Sequence, residues 1–386
     1  MASKHYRIGV LLSSSGPYEI VARSMRNGAM LAFEELNADG ALGIELEPCL
    51  FDPGGDLGLY SDMACEALAS GVRHIIGCYT SSSRKEVIPH FEKHDALLWY
   101  PSHYEGFESS GNVIYTGAAP NQHILPLMEH LAPTAGKRAF CVGSNYIWAW
   151  ENNRILREAL SARGGAVVAE RYLPVGETDL AQVIEAILSA RPNFVFSTLI
   201  GTSAYRFFRD FRQACQSRGI DQAREIPVAS CSLSEPELEA IGMQAVDGHL
   251  SSSVYFSTID TPENAAFVER YSAAFPAGPT MSADAEASYI AVRLLGQSLA
   301  EAGTDNVAAV RVAVLAQQLD APQGKVRIDA QTFHAYLTPR IGRSNRNGRF
   351  DVILQSAEPV RPDPYLVQTA PRYALQECGP RLRLVQ

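Results

Sequence analysis

Several segments carry hydroxyl and aromatic side chains directly after a short apolar run. In residues 75–87, IIGCYTSSSRKEV, an apolar run ends in three serines that are followed by charged residues. A phosphate-binding loop needs the pattern GxxxxGK[ST] and a hydrolase nucleophile elbow needs GxSxG, and this segment has neither. The serines are therefore interpreted as helix-capping and ligand-orienting groups and not as nucleophiles.

Two serines of this segment are predicted to have different roles. Ser83 and Glu86 match the capping box S-x-x-E, which predicts a helix whose first residue is Arg84. Ser81 then lies in the loop between strand and helix, where its hydroxyl and the nearby amides can bind a carbonyl or carboxylate oxygen. Ser81 is therefore a predicted ligand-binding residue.

An enzymatic alternative assigns Cys78 as an amidohydrolase nucleophile, His103 as its base and Glu105 as the orienting group. No spacing in the sequence joins these residues, so an inert Cys78 at the end of a buried strand is the favoured interpretation. The chain is predicted not to be an enzyme. The seven cysteines form no CxxC pair, and neither a metal site nor a cofactor is predicted.

These loops belong to a repeated alternation of apolar runs and amphipathic segments. The apolar runs start near residues 6, 44, 74 and 96, and again near 139, 166, 194 and 226. This βαβ rhythm predicts parallel sheets with crossover helices, and its restart near residue 139 predicts a second α/β lobe. Loops after parallel strands meet at one edge of the sheet, so five hydroxyl-bearing loops are expected to converge on one cleft. They start at residues 78, 100, 143, 200 and 229.

Aromatic residues in three of these loops give the predicted cleft its walls. Aromatic walls with a few hydroxyl groups suit a small, largely uncharged polar ligand. The alternatives are that the hydroxyl residues only cap helices and that the aromatic residues belong to the core. The aromatic residues are Tyr79, Tyr100, Tyr104, Tyr146 and Trp148.

Length and charge limit the remaining possibilities. A chain of 386 residues is long enough for two domains, and its net charge of −9 with scattered Lys and Arg argues against direct nucleic-acid binding. No run approaches the ~20 apolar residues of a membrane span. The apolar residues 8–12 are too few for a secretory signal, which predicts a cytoplasmic protein, or a periplasmic one if a leader has been removed.

Eight segments together resemble a known family over essentially the whole chain. They are FDPGGD (51–56), GCYTSSSRKEVIP (77–89), YPSHYEGFE (100–108), APNQH (119–123), GSNYIW (143–148), VFSTLIGT (195–202), YFSTIDTPEN (255–264) and DAPQGKVRID (320–329). The chain resembles the AmiC-type amide-sensing regulators. Their type I periplasmic-binding-protein fold is shared with urea-binding and branched-chain amino-acid-binding proteins.

The resemblance implies an α/β protein of two Rossmann-like lobes with parallel sheets, joined by three crossovers. It implies an N-terminal lobe of residues 1–120 plus 256–330 and a C-terminal lobe of residues 121–255 plus 331–386. The implied function is a sensor that closes on a small amide-like molecule and regulates an amidase-type operon through an RNA-binding antiterminator. The alternative is the substrate-binding protein of an ABC transporter for urea, short amides or amino acids. Homo-oligomerisation is left open.

The resemblance also implies a ligand site. The family's ligand-contacting positions fall on Ser81, Ser102, Tyr146, Ile200 and Ser232, with Tyr79, Tyr100, Tyr104 and Thr202 as neighbours. The chain has Ser102, His103 and Trp148 where the regulators have threonine, proline and tyrosine, which adds His103 and Trp148 to the predicted wall. These differences predict a ligand preference that departs from that of acetamide sensors.

Overall fold

The structure is a computed structural model that describes residues 4–369, and it contains two large sheets and one two-stranded sheet. The strands of the first sheet are β1 (Lys4–Leu11), β2 (Ile44–Phe51), β3 (His74–Gly77), β4 (Leu97–Tyr100) and β5 (Val113–Tyr115). Their order is β2-β1-β3-β4-β5, and every neighbouring pair is parallel. The sheet is therefore a doubly wound one whose strands all end at the same edge.

The second sheet repeats this arrangement and adds a hairpin. The remaining strands are β6 (Arg138–Ser144), β7 (Ala166–Leu173), β8 (Phe194–Thr198), β9 (Val228–Ser230), β10 (Leu250–Ser253), β11 (Gln318–Ala321), β12 (Gly324–Arg327), β13 (Arg340–Ser344) and β14 (Phe350–Gln355). The sheet order is β14-β13-β10-β9-β8-β6-β7, in which only the pairs made by β13 are antiparallel. Strands β11 and β12 form the small antiparallel sheet.

Helices cover both faces of the two large sheets. They are α1 (Glu19–Asp39), α2 (Leu57–Ala69), α3 (Ser81–Lys93), α4 (Ile124–Thr134), α5 (Ile147–Ser161), α6 (Ala181–Ala190), α7 (Gly201–Gln216), α8 (Gln222–Glu225), α9 (Glu235–Ile241), α10 (Pro262–Ala274), α11 (Ala283–Ala302) and α12 (Val307–Val314). A 3₁₀ turn spans Pro120–Gln122. None of the helices in residues 4–369 has the length and apolar character needed to cross a membrane.

The longest helix contact joins α1 to α11 above the first sheet. Ser282 caps α11 by accepting from Ala285 N, and left-handed glycines end both helices, Gly40 after α1 and Gly303 after α11. Gly28 allows the close approach, because a Cβ there would lie 2.1 Å from the carbonyl oxygen of Ala285. Late residues of the chain thus cover strands formed by early residues.

The chain passes three times between the regions of the two large sheets. It passes from β5 to β6, returns after β10 to α10, α11 and α12, which pack on the first sheet's side, and passes from β12 to β13. The predicted fold class is confirmed: two Rossmann-like parallel sheets joined by three crossovers. The lobe boundaries predicted at residues 120, 255 and 330 stay a proposal, and residues 1–3 and 370–386 lie outside the described residues.

The local predictions succeed and fail for identifiable reasons. Residues 345–348, which lie between two segments of alternating polarity, are typical of a hairpin turn, and they do join β13 to β14, with Gly348 N donating to Asn345 O at 3.1 Å. The prediction that Ser83 and Glu86 form a capping box at the start of this helix is wrong. The extended residue Thr80 caps α3, its side chain accepting from Ser83 N at 3.1 Å, so that Ser81 is already helical. Threonine is itself a good N-cap, and it stands three residues earlier.

Candidate ligand-binding site

A small cavity lies where the carboxyl ends of the two sheets face each other. In the first sheet, β1 and β3 are neighbours whose connections diverge, which makes their exits the topological switch point. The loops after β3 and β4 meet the loops after β6 and β8 at this place. Ligand sites in open α/β sheets are expected there.

Seven of the eleven predicted site residues enclose this cavity. It leaves about 10 Å³ for the centre of a water molecule, which is the room that one water needs. Both sheets contribute, so the two walls are already in contact around it. The lining residues are Tyr79, Ser81, Ser102 and His103 from the first sheet, and Tyr146, Trp148 and Ile200 from the second.

The other four predicted residues do not line the cavity. Tyr100 and Tyr104 are fully buried behind it, and Thr202 is exposed on α7, where its amide donates to Pro17 O at 3.0 Å. Ser232 is buried and its hydroxyl lies 3.1 Å from that of Ser230. The sequence placed all four at strand exits, but it could not tell which face of each loop turns toward the ligand.

Behind the wall, Ser81 belongs to a buried network with Arg84 and Glu105. The hydroxyl of Ser81 donates to one carboxylate oxygen of Glu105, and Arg84 Nη2 donates to the other at 2.9 Å. Arg84 Nη1 also donates to Ser81 Oγ at 3.2 Å. The proton of Ser81 is thus committed to Glu105, which leaves one lone pair of Ser81 Oγ for a ligand donor.

Two tyrosine rings hold the guanidinium of Arg84. Its central carbon lies 4.8 Å from the ring centroid of Tyr100 and 4.7 Å from that of Tyr104. Burial disfavours the charged guanidinium, but the carboxylate of Glu105 together with Tyr100, Tyr115 and Tyr104 outweighs burial, and the pKa of Arg84 is raised well above its ordinary value. Tyr100 and Tyr104 therefore support the site from behind.

Hydrogen bonds fix both of these tyrosines. The hydroxyl of Tyr100 donates to Tyr79 O at 2.8 Å, and that of Tyr104 bonds to Nε2 of His334. Burial lowers the pKa of His334 to about 3, and its Nδ1 lies 2.6 Å from Thr332 O. Nδ1 therefore carries the proton of a neutral ring, and Nε2 accepts from Tyr104.

The cavity wall offers hydrogen-bonding groups without a net charge. Burial, with the fields of Glu237 and Asp284, raises the pKa of Tyr79 well above its ordinary value, so its phenol is neutral. Within residues 4–369 the indole N–H of Trp148 is buried and has no hydrogen-bond partner. It remains available to a ligand, beside Tyr79 and Tyr146, which line the same cavity.

His103 forms the boundary between the cavity and a second small one. Its Nδ1 lies 3.2 Å from Asp284 Oδ1, and its ring stands edge-on to Trp148 at 5.4 Å between centroids. The second cavity lies on the other side, where His103, His123, Cys231 and Asp284 are among the lining residues. The imidazole is therefore held by the protein and is not a free surface group.

The two sides of the cleft also touch outside the cavity. Gly201, at the start of α7, has φ +60° and packs against Pro17, which follows β1. At the rim, the guanidinium of Arg154 lies over the half-exposed ring of Phe107, 5.3 Å from its centroid. Such contacts belong to a closed arrangement of the two walls.

The geometry argues against the enzymatic alternative. Burial raises the pKa of the fully buried Cys78 thiol to about 12, which opposes formation of the thiolate. His103 pairs with Asp284, and Glu105 is occupied by Arg84 and Ser81, so neither serves Cys78. Within residues 4–369, no three His, Cys, Asp or Glu side chains are arranged to hold a metal ion.

A larger groove lies elsewhere, between α4 and the hairpin of β13 and β14. Its volume is about 720 Å³, and its lining includes Leu125, Pro133, Ile341 and Leu354. None of the eleven predicted site residues lines it, and it is not at the carboxyl ends of the parallel strands. The size of this groove therefore does not make it the ligand site.

Sequence reasoning missed the network that supports Ser81. Arg84 and Glu105 were each visible in their motifs, but a contact between residues 21 positions apart leaves no periodic signal. Asp284 is farther still from His103, since it opens α11, and the pair depends on the return of the chain after β10. Co-variation among relatives is the signal that would find such pairs.

Comparison with known proteins points to binding proteins. A family model described as the periplasmic binding protein domain matches residues 6–371. The Leu/Ile/Val-binding protein homolog 6 of Brucella abortus (strain 2308) is 22% identical over 338 residues, which is 85% of this chain and 84% of that protein. A limonene hydroxylase of Geobacillus stearothermophilus is 23% identical over 129 residues, which is 33% of this chain and 24% of that protein.

Solved structures share the fold at low sequence identity. The solute-binding protein of an ABC transporter from Rhodopseudomonas palustris HaA2, in complex with p-hydroxybenzoic acid, has a TM-score of 0.84 at 18% identity, covering 95% of this chain and 100% of that one. A leucine-binding protein from Thermotoga maritima MSB8 has a TM-score of 0.79 at 19% identity, covering 91% of this chain and 98% of that one.

Proposed function

The chain belongs to the periplasmic binding protein family, and from that premise we propose that it is a solute-binding protein that closes on a small, uncharged polar molecule. The observation that carries the proposal is the cavity itself. Seven predicted residues from both sheets surround it, and the charges behind the wall are paired: Arg84 with Glu105 at 2.9 Å and with Glu108 at 3.5 Å, and Glu108 with Lys85 at 2.8 Å.

The hydrogen-bonding pattern of the wall favours a ligand that has both an N–H donor and a carbonyl oxygen. Ser81 Oγ accepts, because its proton is committed to Glu105. The hydroxyls of Tyr79 and Tyr146, the indole N–H of Trp148 and the first amides of α3 supply donors. A short amide or a urea presents N–H and C=O on the same carbon and is among the smallest molecules that do so. It has four heavy atoms and the cavity has room for about one water, so the two walls have to separate slightly to hold it.

Binding is coupled to closure in this proposal. A ligand held by both walls binds the closed form better than the open form and shifts the population by that difference in affinity. A shift from about 1:99 to about 99:1 requires ~5.5 kcal/mol of preference. Hydrogen bonds to Ser81 on one wall and Tyr146 on the other would supply part of it.

The relatives favour a role in transport. Solved proteins of the same fold are named as solute-binding proteins of ABC transporters, and the Brucella relative is named as a Leu/Ile/Val-binding protein homolog. By this reading the closed form delivers its solute to a membrane permease, and the protein works in the periplasm. Amino acids, urea and short amides are the solute classes to be compared.

A regulator is the second candidate, and the uncharged cavity favours it. Leucine carries a carboxylate and an ammonium, whereas the wall offers neither a free carboxylate nor a free cation within residues 4–369. An amide sensor needs only neutral donors and acceptors. In this version the protein is cytoplasmic and passes ligand occupancy to an RNA-binding antiterminator of an amidase-type operon.

Calorimetric titration with acetamide, urea, leucine and 4-hydroxybenzoate tests the ligand class. We expect heat from acetamide or urea and none from the other two. Binding of leucine or 4-hydroxybenzoate with no response to amides or ureas would overturn the uncharged-ligand proposal. Cell fractionation, together with capture of partners in the presence and absence of the bound ligand, separates a permease from an RNA-binding protein.

A further inference from the structure

A cluster of Ser61, Cys65 and His90 lies between α2 and α3, away from the cavity. Ser61 and Cys65 are four residues apart in α2 and so share one face of that helix. His90 of α3 contacts both, with Nδ1 3.3 Å from Cys65 Sγ and Nε2 2.8 Å from Ser61 Oγ. All three residues are half-buried, so the edge of the cluster reaches solvent.

Cys65 differs from the other cysteines of residues 4–369 in combining partial exposure with a neighbouring imidazole. Four of them are buried, and burial raises their thiol pKa values, to about 12 for Cys78 and about 11 for Cys215. Cys141 and Cys231 shift in the same direction. Cys49 is half-buried like Cys65, but its nearest polar partner is the carbonyl oxygen of Glu47 at 4.0 Å. Among the described cysteines, Cys65 alone has an imidazole within hydrogen-bond distance.

The arrangement has the three parts of an activated nucleophile: a thiol, a base within reach and a third group that orients the base. When Nε2 of His90 carries the ring proton, it donates to Ser61 Oγ, and Nδ1 is free to accept the thiol proton. Two helices hold the partners, so the alignment follows from the packing of α2 on α3 and not from one mobile loop.

We propose that Ser61, Cys65 and His90 form a reactive-thiol site that is modified by small disulfides. The thiol proton passes to Nδ1 of His90, and the thiolate attacks one sulfur of the disulfide. A new S–S bond forms at Cys65 while the disulfide's own S–S bond breaks. The other half leaves as a thiolate, which takes a proton from the imidazolium or from water. The site is independent of the ligand cavity and of the proposed function.

The full-length chain is tested with dithiodipyridine, a small uncharged disulfide, and modification at each cysteine is followed over time by peptide mass spectrometry at neutral pH. We expect Cys65 to react at least about tenfold faster than Cys49, which matches it in burial but lacks a base. Equal rates at the two thiols in the unaltered protein would overturn the proposal without any substitution.

Substitutions then identify the base. His90→Gln is expected to slow modification of Cys65 about tenfold and to leave that of Cys49 unchanged, and Ser61→Ala is expected to have a smaller effect of about two- to threefold. Thermal melting confirms that each variant is folded, and Cys65→Ser verifies the peptide assignment. A folded His90→Gln variant with an unchanged Cys65 rate would show that His90 is not the base and would reject the proposal.

Discussion

Ser81 donates its hydroxyl proton to Glu105, a residue 24 positions later in the chain, and the carboxylate that receives it is paired with Arg84. The direction of this bond decides what Ser81 can offer at the cavity wall. A serine whose proton is free can donate to a carbonyl or accept from an amide, but this one can only accept. The ion pair of Arg84 and Glu105 behind the cavity thus makes Ser81 a hydrogen-bond acceptor on the cavity side.

Replacing Ser81 with alanine is expected to weaken binding of the cognate ligand by ~1–3 kcal/mol, because a buried N–H of the ligand loses its acceptor. The free energy of unfolding should also fall, by ~1–3 kcal/mol, because the buried carboxylate of Glu105 loses its hydroxyl donor while Arg84 stays paired with it. Calorimetric titration and unfolding by guanidinium chloride measure the two quantities, since urea is itself a candidate ligand. The control is Ser82→Ala, one residue along the same helical turn and absent from the cavity lining. Unchanged affinity in Ser81→Ala would place the ligand elsewhere.

Breaking the ion pair of Arg84 and Glu105 is expected to lower the free energy of unfolding more than removal of a ligand-contacting side chain does. Arg84→Met leaves the carboxylate of Glu105 buried without a cation, with only the hydroxyl of Ser81 donating to it, and removal of one partner of a buried ion pair typically costs ~3–5 kcal/mol of unfolding free energy. The double variant Arg84→Met/Glu105→Leu should be more stable than the sum of the two single changes implies. Urea unfolding at pH 7 measures all of these values.

The neighbouring pair of Lys85 and Glu108 is the control for this experiment. Its atoms are 2.8 Å apart, but the Lys85 side chain is 39% exposed, so Lys85→Met should cost less than ~1 kcal/mol. Strictly additive effects of Arg84→Met and Glu105→Leu would mean that the two side chains do not stabilise each other.

Much of the fold follows from local sequence pattern. The apolar runs near residues 74 and 194 became β3 and β8 because they are buried on both faces, as parallel strands are. The apolar spacing of residues 283–302 is typical of a packed helix, and these residues form α11, which has a serine cap and a terminal glycine. Strands β5 and β10 were missed because neither contains a long apolar run: β5 is three residues, VIY, and β10 is one leucine followed by three serines.

In the candidate site, too, local sequence pattern predicts some of the residues and tertiary contacts decide the others. Tyr79, Ser81 and Tyr146 follow strands directly, and the rule that loops meet at the carboxyl edge was enough to bring them to one cavity. Tyr100 lies at a strand end too, yet its ring turns inward, because it packs against the buried guanidinium of Arg84. Pairings such as Glu105 with Arg84 arise from tertiary packing and have no local signature.

Glu237 is expected to make stability depend on pH. Burial raises the pKa of its carboxyl to about 8 from the ordinary 4.5, with Asp284 adding to the shift. Between these pH values the folded chain holds a proton that the unfolded chain has lost. The free energy of unfolding therefore falls as pH rises through this window, by up to ~1.4 kcal/mol per pH unit from this group.

Glu237→Gln tests this dependence, because glutamine keeps an oxygen to accept from Ser234 N, now 2.9 Å from the carboxyl. The variant should gain stability relative to the unaltered chain as pH is raised from 5 to 8, with the largest gain at pH 8. Urea unfolding at several pH values measures the difference. Glu239→Gln, on the exposed side of the same helix, should show no such trend. A constant difference at all pH values would contradict the assignment.

Gly201 is expected to control closure of the cleft. A Cβ at this position would lie 2.2 Å from the carbonyl oxygen of Pro17 on the opposite wall, where Thr202 N now donates at 3.0 Å. Gly201→Ala should therefore disfavour the closed form and weaken ligand affinity at least about tenfold, because the ligand-bound closed form has to make this contact. Ligand-induced compaction, measured by small-angle X-ray scattering, should shrink in parallel.

Gly219→Ala separates closure from backbone strain, because Gly219 also has a positive φ, +69°, but has nothing within 4 Å of the added Cβ. Both variants force alanine into the left-handed region, at a cost of ~1–2 kcal/mol, so their unfolding free energies should fall alike. Only Gly201→Ala should lose affinity and compaction. Equal affinities in the two variants would mean that the contact of Gly201 with Pro17 does not contribute to the ligand-bound state.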